Sequence, residues 1–299
     1  MTTRQTEARH LEADRLHSHD AAEAVAAILT GQIAALEATS AARDVIAAAG
    51  LAMAAAIASG HKVIYVGAGS SGLMALADCL EIPGTFGVPR HQVAMLFAGG
   101  AAALLEMPGA VEDDADLAAA DVARIAPGPG DLVIAVSASG STPYTLTVAK
   151  AAKACGASIA GLANADATPL LQIADYPVFL DTGAEILAGS TRLGAATAQK
   201  AALNMISTLA GVRLGHVHDG RMVNVMADNA KLLDRAAGMV ADFSGVDIDA
   251  ARAALGQTGG AVKPAILIAC GATAAQANTL LAESGGHVGP ALCALRQGA

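Results

Sequence analysis

Residues 62–87, KVIYVGAGSSGLMALADCLEIPGTFG, decide the fold of this chain. The segment opens with an apolar, β-branched run that is typical of a buried strand. A turn rich in glycine and serine follows, and the residues after it have helical spacing that we expect to end at Glu81, just before Pro83. We therefore predict a strand, a Gly/Ser turn and a helix over 72–81. In this arrangement, backbone N–H groups and the helix dipole can hold an anion.

Composition restricts the classes of protein to which the chain can belong. Its 299 residues suffice for one α/β domain with helical extensions, or for two small domains. Aromatic residues make up only 2% of the chain, so the core must consist mostly of Ala, Leu, Val and Ile. The net charge of -9 argues against a nucleic-acid partner, because phosphate backbones are bound by clustered Lys and Arg.

Apolar runs recur along the chain and predict five strands, at residues 62–66, 93–97, 131–136, 157–162 and 177–180. Helical segments separate these runs, as is typical of a parallel sheet covered by helices on both faces. We predict an α/β fold with a doubly wound, five-stranded parallel sheet, N-terminal helices and a small C-terminal helical subdomain. The predicted division is an N-terminal arm and helix, the sheet domain and the C-terminal helical region, at residues 1–45, 46–218 and 219–299.

Three further predictions concern segments outside the sheet. The polar residues 1–20 are expected to form an exposed arm. A long helix is expected over 191–213, after a Gly-Ser-Thr turn. Beyond Gly215 the pattern predicts helices only, the first of them over 220–238.

The first Gly/Ser turn, Gly67-Ala68-Gly69-Ser70-Ser71-Gly72, matches the GxGxxG pattern of dinucleotide-binding proteins. Those proteins also place an acidic residue at the end of the second strand, to bind the ribose. Here the second predicted strand ends in Ala98-Gly99-Gly100, so the acid is missing. A tight turn without a ligand remains an alternative, but we favour a phosphate or sugar site.

A second hydroxyl-rich loop, Ser137-Ala138-Ser139-Gly140-Ser141-Thr142, follows the strongest predicted strand and precedes Pro143. Proline is a good first residue for a helix, so this loop too is expected at a helix N-terminus. In the strand order 2-1-3-4-5, strands one and three are neighbours at the switch point, where ligands bind. Both loops should then line one crevice. The candidate ligand-binding residues there are Gly69, Ser70, Ser71, Ser137, Ser139, Gly140, Ser141 and Thr142.

Two glutamates are candidates for acid–base chemistry. Glu81 stands between Leu80 and Ile82, in an apolar setting in which desolvation would raise its pKa. Glu112 lies in an acidic stretch after a Gly-Gly turn and a short apolar helix, where it could also be a solvated cap. Composition alone therefore leaves both a functional and a structural interpretation open for each.

Histidine and cysteine give weaker signals. Two His-x-His-Asp patterns, at residues 17–20 and 216–219, lack a third ligand at a recognisable spacing, so we predict no metal site. The four cysteines show no CxxC pairing and are expected to be buried free thiols in a reducing compartment. No apolar run reaches the ~18 residues that a membrane span needs, and the first residues lack a signal-peptide core. We therefore predict a cytoplasmic protein that does not bind membranes.

Several longer motifs resemble those of the sugar isomerase (SIS) fold, and more narrowly those of the N-acetylmuramic acid 6-phosphate etherase and glucokinase regulatory protein family. The resemblance covers most of the chain. It includes TEAR at 6–9, IYVGAGSSG at 64–72, LEIPGTFG at 80–87, AGG at 98–100, SASGSTPY at 137–144, GAEILAGSTRLGAATAQKAALNM at 183–205, MVNVMADNAKL at 222–232 and VKPAILI at 262–268.

This resemblance implies a cofactor-free lyase that removes the D-lactyl ether of a 6-phosphorylated amino sugar. By motif matching, Glu81 would be the general acid and Glu112 the general base, although the two roles could be exchanged. The hydroxyl loops, Ser190 and Lys200 would bind the sugar phosphate. The resemblance also implies a homodimer whose helical C-terminal part completes the site.

The chain departs from the family pattern at several positions. The pattern has Arg at Leu73 and at Ser141, and Lys at Gly194. Smaller departures are Gly84, Phe86, Ala196 and Asn224. A lactyl group carries a carboxylate, so the loss of these cationic side chains puts recognition of a lactyl substrate in question. An isomerase or lyase of another sugar phosphate, or a non-catalytic phosphosugar sensor, therefore stays open as an alternative.

Overall fold

A five-stranded parallel sheet forms the centre of the computed structural model, which describes residues 5–14, 16–225 and 230–298. The strand order is β2-β1-β3-β4-β5, and every neighbouring pair is parallel. The strands are Val63–Gly67 (β1), Val93–Phe97 (β2), Leu132–Val136 (β3), Ser158–Ala163 (β4) and Tyr176–Phe179 (β5). The predicted fold class and strand order are confirmed.

The central strands β1 and β3 are buried along their whole length, which explains their continuous apolar sequence. Their register pairs Gly67 with Val136, so both strands end at the same level. The two loops that follow these strands therefore leave the sheet side by side.

Helices cover the sheet and continue after it. In chain order they are Ala21–Glu37 (α1), Arg43–Ala58 (α2), Gly69–Phe86 (α3), Gly100–Glu106 (α4), Ala115–Ile125 (α5), Pro143–Ala154 (α6), Pro169–Ile173 (α7) and Gly194–Arg213 (α8). Small residues permit close helix packing: a Cβ on Gly50 of α2 would lie 3.1 Å from the carbonyl oxygen of Ile206 on α8.

Helix α3 is longer at both ends than predicted. It begins at Gly69 rather than at residue 72, and it continues through Pro83 to Phe86. Proline removes only one donor from the helix, and the N–H of Gly87 closes the last turn on the carbonyl of Pro83 at 3.0 Å. Gly87 ends the helix with φ +64°, the left-handed conformation that glycine adopts without strain.

A buried carboxylate anchors the middle of α3. The hydroxyl of Tyr65 on β1 donates to Oδ2 of Asp78 at 2.7 Å. The side chains of Asn204 and Ser207 on α8 donate to Oδ1 at 2.7 and 2.9 Å. Asp78 therefore ties α3 to the sheet and to α8, which fixes the helix that carries the first hydroxyl loop.

The chain divides into two compact units. The N-terminal unit contains residues 1–80 and 90–209, and the C-terminal unit contains residues 81–89 and 210–299. The C-terminal unit has its own apolar core, formed by helices Ala230–Ser244 (α9), Ile248–Gln257 (α10), Val262–Ala269 (α11), Ala274–Glu283 (α12) and Val288–Gln297 (α13). The three-part division at residues 45 and 218 stays a prediction.

The prediction of helices only after Gly215 was wrong. Val217–His218 (β6) and Arg221–Met222 (β7) pair as an antiparallel hairpin. Its two turn residues, Asp219 and Gly220, both have positive φ, at 43° and 74°, and Asp-Gly is a preferred pair for such a turn. The predicted helix over 220–238 is replaced by this hairpin and α9, while residues 226–229 lie outside the described residues.

The N-terminal arm differs from the prediction at Thr6, while the other described residues of 6–20 are exposed or partly exposed as predicted. Residues 1–4 and 15 lie outside the described residues, but Thr6 is only 3% exposed. Its carbonyl accepts a hydrogen bond from the N–H of Gly189 at 2.8 Å. The segment around Thr6 is therefore packed against the turn before α8 instead of extending into solvent.

The prediction that all four cysteines are buried was wrong. All four are free, but only Cys79 is buried, while Cys155 and Cys293 are exposed and Cys270 is intermediate. Cys155 and Cys270 follow the last residues of α6 and α11, and Cys293 lies in α13, so apolar neighbours in the sequence did not ensure burial.

Helix α1 is unusually apolar for an exposed helix. By length and composition alone, one helix in the described ranges could cross a membrane, that of residues 21–40. The bent pair α11 and α12 could supply a second span on the same criteria. The mean hydropathy of the helix over residues 21–40 is 1.3, and one or two such helices carry little weight in assigning a membrane protein.

Candidate functional site

The two hydroxyl loops meet at the carboxyl edge of β1 and β3. The N–H of Ala138 in the second loop donates to Oγ of Ser71 in the first at 3.3 Å. Because the carboxyl ends of parallel strands at a switch point form the usual ligand crevice, this contact places both loops on one candidate site.

The first loop turns directly into α3. Gly69 has φ +52° and is the first residue of the helix, so Ser70 and Ser71 lie in its first turn. Ser70 is partly exposed and Ser71 is buried. The N–H groups of a first helical turn have no partner within the helix, and the positive end of the helix dipole adds to their attraction for an anion.

The second loop is a cluster of hydroxyl groups before α6. Oγ of Ser137 lies 2.8 Å from Oγ1 of Thr142 and 3.3 Å from Oγ of Ser139. Oγ of Ser139 also accepts from the N–H of Ser141 at 3.2 Å. Ser137 is only 2% exposed, whereas Ser139, Ser141 and Thr142 are partly exposed. Ser137 therefore supports the loop, and the other three can face a ligand.

The second loop requires glycine at residue 140. Gly140 has φ +59°, and an added Cβ would lie 2.2 Å from Oγ1 of Thr168. Thr168 caps α7 by accepting from the N–H of Leu171 at 3.4 Å. Gly140 thus lets the loop turn tightly against α7, and its role is to shape the loop.

Glu112 lies at the first loop. It belongs to the 3-10 turn Gly109–Asp113, and a Cβ added to Gly69 would be 2.7 Å from its Oε1. The side chain is partly buried. Burial, and then the charge of the neighbouring Asp113, raise the pKa of Glu112 above the usual value of a glutamate. The structure thus places the Glu112 carboxylate beside the first loop, partly buried and not fully solvated, and its role in catalysis stays a prediction.

Glu81 does not have the apolar setting that we predicted. It lies in the C-terminal unit, its side chain is exposed, and the neighbouring Leu80 is 62% exposed. The cause is the periodicity of α3: Asp78, Cys79 and Ile82 face inward, which turns Leu80 and Glu81 outward. The role of Glu81 in catalysis stays a prediction.

The two remaining candidates lie at the start of α8. Ser190 is partly exposed in the preceding turn, where its N–H donates to the carbonyl of Leu187 at 2.8 Å. Lys200 is exposed, and its Nζ forms no hydrogen bond or ion pair with any residue that the structure describes. Neither shows a described contact with the hydroxyl loops, so their part in binding stays a prediction.

Sequence reasoning missed two buried amides behind the second loop. The N–H of Asn164 donates to the carbonyl of Ala138 at 2.9 Å, and Oδ1 of Asn164 accepts from Nε2 of Gln199 on α8 at 2.8 Å. Both residues are fully buried. A signal was present, because Asn164 directly follows β4, at the edge of the sheet where polar residues are often functional.

The hydrogen bonds of Glu185 account for the small residue, Gly194, at the start of α8. Its carboxylate accepts from the N–H groups of Gly194 and Ala195, both at 2.8 Å, and thereby caps α8. A Cβ on Gly194 would lie 3.1 Å from Oε2 of Glu185 and 3.0 Å from Cβ of Ala35. The longer side chain of the family pattern would therefore need a shift of α1 or of this cap.

Metal ligands are not clustered in the described ranges, 5–14, 16–225 and 230–298. Within them, no group of three or more His, Cys, Asp or Glu residues could hold a metal ion. The described partners of the His218 side chain are Asp219, at 3.8 Å, and the ring of Phe243, at 4.9 Å between centroids.

Comparisons with known proteins identify the family. The family model described as "SIS domain" matches residues 18–164. An N-acetylmuramic acid 6-phosphate etherase of Deinococcus radiodurans is 44% identical over 264 residues, which cover 88% of this chain and 87% of the relative. The corresponding etherase of Serratia proteamaculans is 43% identical over 243 residues, 80% of this chain and 81% of the relative. Among solved structures, a phosphoheptose isomerase from Francisella tularensis is 19% identical with a TM-score of 0.48, and the match covers 64% of this chain and 97% of that chain. The resemblance drawn from the motifs is thus confirmed, and the chain belongs to the N-acetylmuramic acid 6-phosphate etherase family of SIS-domain proteins.

Proposed function

We propose that this protein is a carbon–oxygen lyase that cleaves the D-lactyl ether of N-acetylmuramic acid 6-phosphate. The identity to etherases over most of both chains supports the reaction and the substrate. The observation in the structure that carries the proposal is the carboxylate of Glu112 at the first hydroxyl loop.

The proposed reaction needs one base and one acid. In the open-chain sugar, the C1 aldehyde acidifies the proton on C2, and Glu112 removes it. The electron pair left on C2 forms the C2–C3 double bond, while the C3–oxygen bond breaks and the lactyl oxygen takes a proton from the acid. Water then adds its hydroxyl to C3 and a proton to C2, which yields lactate and N-acetylglucosamine 6-phosphate. Two carboxyl groups with separated pKa values can perform these steps.

We place the 6-phosphate of the substrate at the two hydroxyl loops. The hydroxyls of Ser70, Ser139 and Thr142 and the first turns of α3 and α6 offer donors and two helix dipoles. Cations are scarce here, since Leu73 and Ser141 occupy positions where the family pattern has arginine. We therefore assign phosphate binding mainly to hydroxyls and backbone N–H groups.

Lactate release from N-acetylmuramic acid 6-phosphate tests this function directly. We expect stoichiometric lactate, together with incorporation of solvent deuterium at C2. Deuterium exchange at C2 without lactate would instead indicate an isomerase of another sugar phosphate. Tight binding with neither exchange nor product would indicate a phosphosugar sensor.

We also propose that the protein is a homodimer in the cytoplasm. Val25, Leu29, Ile33 and Leu36 form an exposed apolar stripe on α1, 45–64% exposed, on the side away from the buried Ala27 and Ala35. A second copy would remove this stripe from water. The free thiols of all four cysteines agree with a reducing compartment.

Introducing charge into the stripe should dissociate the dimer. We expect the double variant Leu29→Glu, Ile33→Glu to have half the wild-type molar mass in light scattering after gel filtration. Thr30→Glu is the matched control, because Thr30 is exposed but lies about a quarter turn away from Leu29. A wild-type protein that is monomeric at micromolar concentration would contradict the dimer, as would a double variant of unchanged mass.

A further inference from the structure

Lys263 is a buried lysine without a described partner. It lies in the first turn of α11 and is only 8% exposed. None of the residues in the ranges 5–14, 16–225 and 230–298 forms a hydrogen bond or ion pair with its Nζ. Lysine is almost never buried unless it is paired, because an isolated ammonium is costly to remove from water. A group of opposite charge beside the ammonium would offset this cost.

Among the described residues, the ionisable groups that act on Lys263 and His216 supply no negative charge. Burial lowers the pKa of Lys263 to about 8. Burial, and then the charges of Lys263 and His287, lower the pKa of His216 to about 4. Nδ1 of His216 is buried and has no described hydrogen-bond partner. Nε2 of His287 lies 3.2 Å from the carbonyl oxygen of Arg213. The described neighbourhood thus contains one cation and two imidazoles.

Helix termini add further positive potential. Lys263 stands in the first turn of α11, where a helix favours anions over cations. Helix α13 packs against α11 and begins directly after His287. Neither helix has a side chain that caps its N-terminus. An anion beside Lys263 would therefore interact favourably with the ammonium and with both helix dipoles.

Two glycines bring the surrounding turns close to the ammonium. Gly286 has φ +80°, and a Cβ there would lie 3.5 Å from Nζ of Lys263. Gly215 has φ +67°, and a Cβ there would lie 2.8 Å from the carbonyl oxygen of Gly286 and 3.0 Å from Cγ of His287. Since Gly286 and His287 are themselves partly exposed, an anion can approach from the 285–287 turn.

We propose that the C-terminal unit contains a second anion site, in which Lys263, His216 and His287 bind a phosphate group. The ammonium of Lys263 supplies the fixed charge. When phosphate binds, Nδ1 of His216 takes up a proton and becomes a hydrogen-bond donor. The N–H groups at the start of α13 supply the remaining donors to the phosphate. The site is independent of the proposed lyase chemistry, because none of these residues belongs to the hydroxyl loops or to the acid–base pair.

Imidazole NMR of the full chain with inorganic phosphate tests the site locally. Signals of His216 and His287 are assigned with His216→Gln and His287→Gln. Phosphate is expected to shift both signals and to raise the pKa of His216, since an adjacent anion favours the protonated ring. The response of both signals to phosphate should vanish in Lys263→Met. It should persist in the control Lys150→Met, because Lys150 is an exposed lysine on α6. Signals that phosphate leaves unmoved, or that still respond in Lys263→Met, would overturn the proposal.

Unfolding by urea gives a second readout that also detects a variant that folds poorly. Without phosphate, Lys263→Met should be more stable than wild type, because it removes an unpaired buried charge. Phosphate at ten times the Kd of this site should raise the folded-to-unfolded ratio of wild type about elevenfold more than that of Lys263→Met, because the hydroxyl loops are intact in both proteins. From pH about 8 to 10.5, wild type should gain stability relative to Lys263→Met, since there the unfolded chain holds the proton that the folded chain has lost. A Lys263→Met protein that is less stable than wild type without phosphate would show that Lys263 already has a partner.

Discussion

Replacing Glu112 with Gln is expected to lower kcat for lactate release by about 100- to 10,000-fold, the usual contribution of a general base. Gln has nearly the same shape but cannot accept the C2 proton. Since the side chain is expected to act on the sugar and not on the phosphate, KM should change much less than kcat. Steady-state kinetics with N-acetylmuramic acid 6-phosphate measure both quantities.

The pH profile of the same reaction gives an independent readout of Glu112. A base works when it is deprotonated, so kcat/KM should fall as the pH decreases through its pKa. Because burial and Asp113 raise that pKa, the fall should occur above the usual range of a glutamate. Asp113→Asn is the matched control: Asp113 is exposed, and removal of its charge should move the fall to lower pH without lowering the plateau.

Deuterium exchange separates the roles of the two glutamates. If Glu112 is the base and Glu81 the acid, Glu112→Gln loses both exchange at C2 and lactate release. Glu81→Gln should then keep exchange and lose lactate release, since it lacks only the proton for the leaving oxygen. The reverse pattern in the two variants would make Glu81 the base and Glu112 the acid. An unchanged kcat in Glu112→Gln would remove this residue from the chemistry.

The sheet and both loops could be predicted because each depends on short-range patterns. Strands β1 and β3 are buried on both faces, so their residues are apolar without interruption. The turns that follow need glycine for positive φ at residues 69 and 140, which marks them in the sequence. Adjacency of the loops then follows from the strand order.

Predictions failed where the facing of a helix or packing between distant segments decides the outcome. Helix α3 was expected to end before Pro83, but proline inside a helix is tolerated when its turn is held by packing, here by the buried Ile82 and Phe86. Glu81 was given an apolar environment from its sequence neighbours, although the helical period turns it outward. Asn164 and Gln199 stand 35 residues apart, so no local pattern joins them.

Substituting Gly69 with Ala should reduce kcat by about 100-fold, because displacement of a catalytic group by about 1 Å can cost that much. The new methyl group would lie 2.7 Å from Oε1 of Glu112, so the carboxylate must move away from the loop. Since Gly69 has φ +52°, alanine there should also cost about 1–2 kcal/mol of stability. Steady-state kinetics and urea unfolding measure the two effects separately.

Gly84→Ala is the control on the same helix, because a Cβ there meets nothing within 4 Å and its φ is not positive. It should keep wild-type kcat and gain as much as about 1 kcal/mol, since alanine favours the helix over glycine. The contrast isolates the contact with Glu112 from any general effect of a methyl group on α3. If Gly69→Ala lost stability but kept kcat within a few-fold of wild type, Glu112 would not act from its position beside the first loop. The proton would then have to be removed by another group, and the hydroxyl loops would keep only the binding of phosphate.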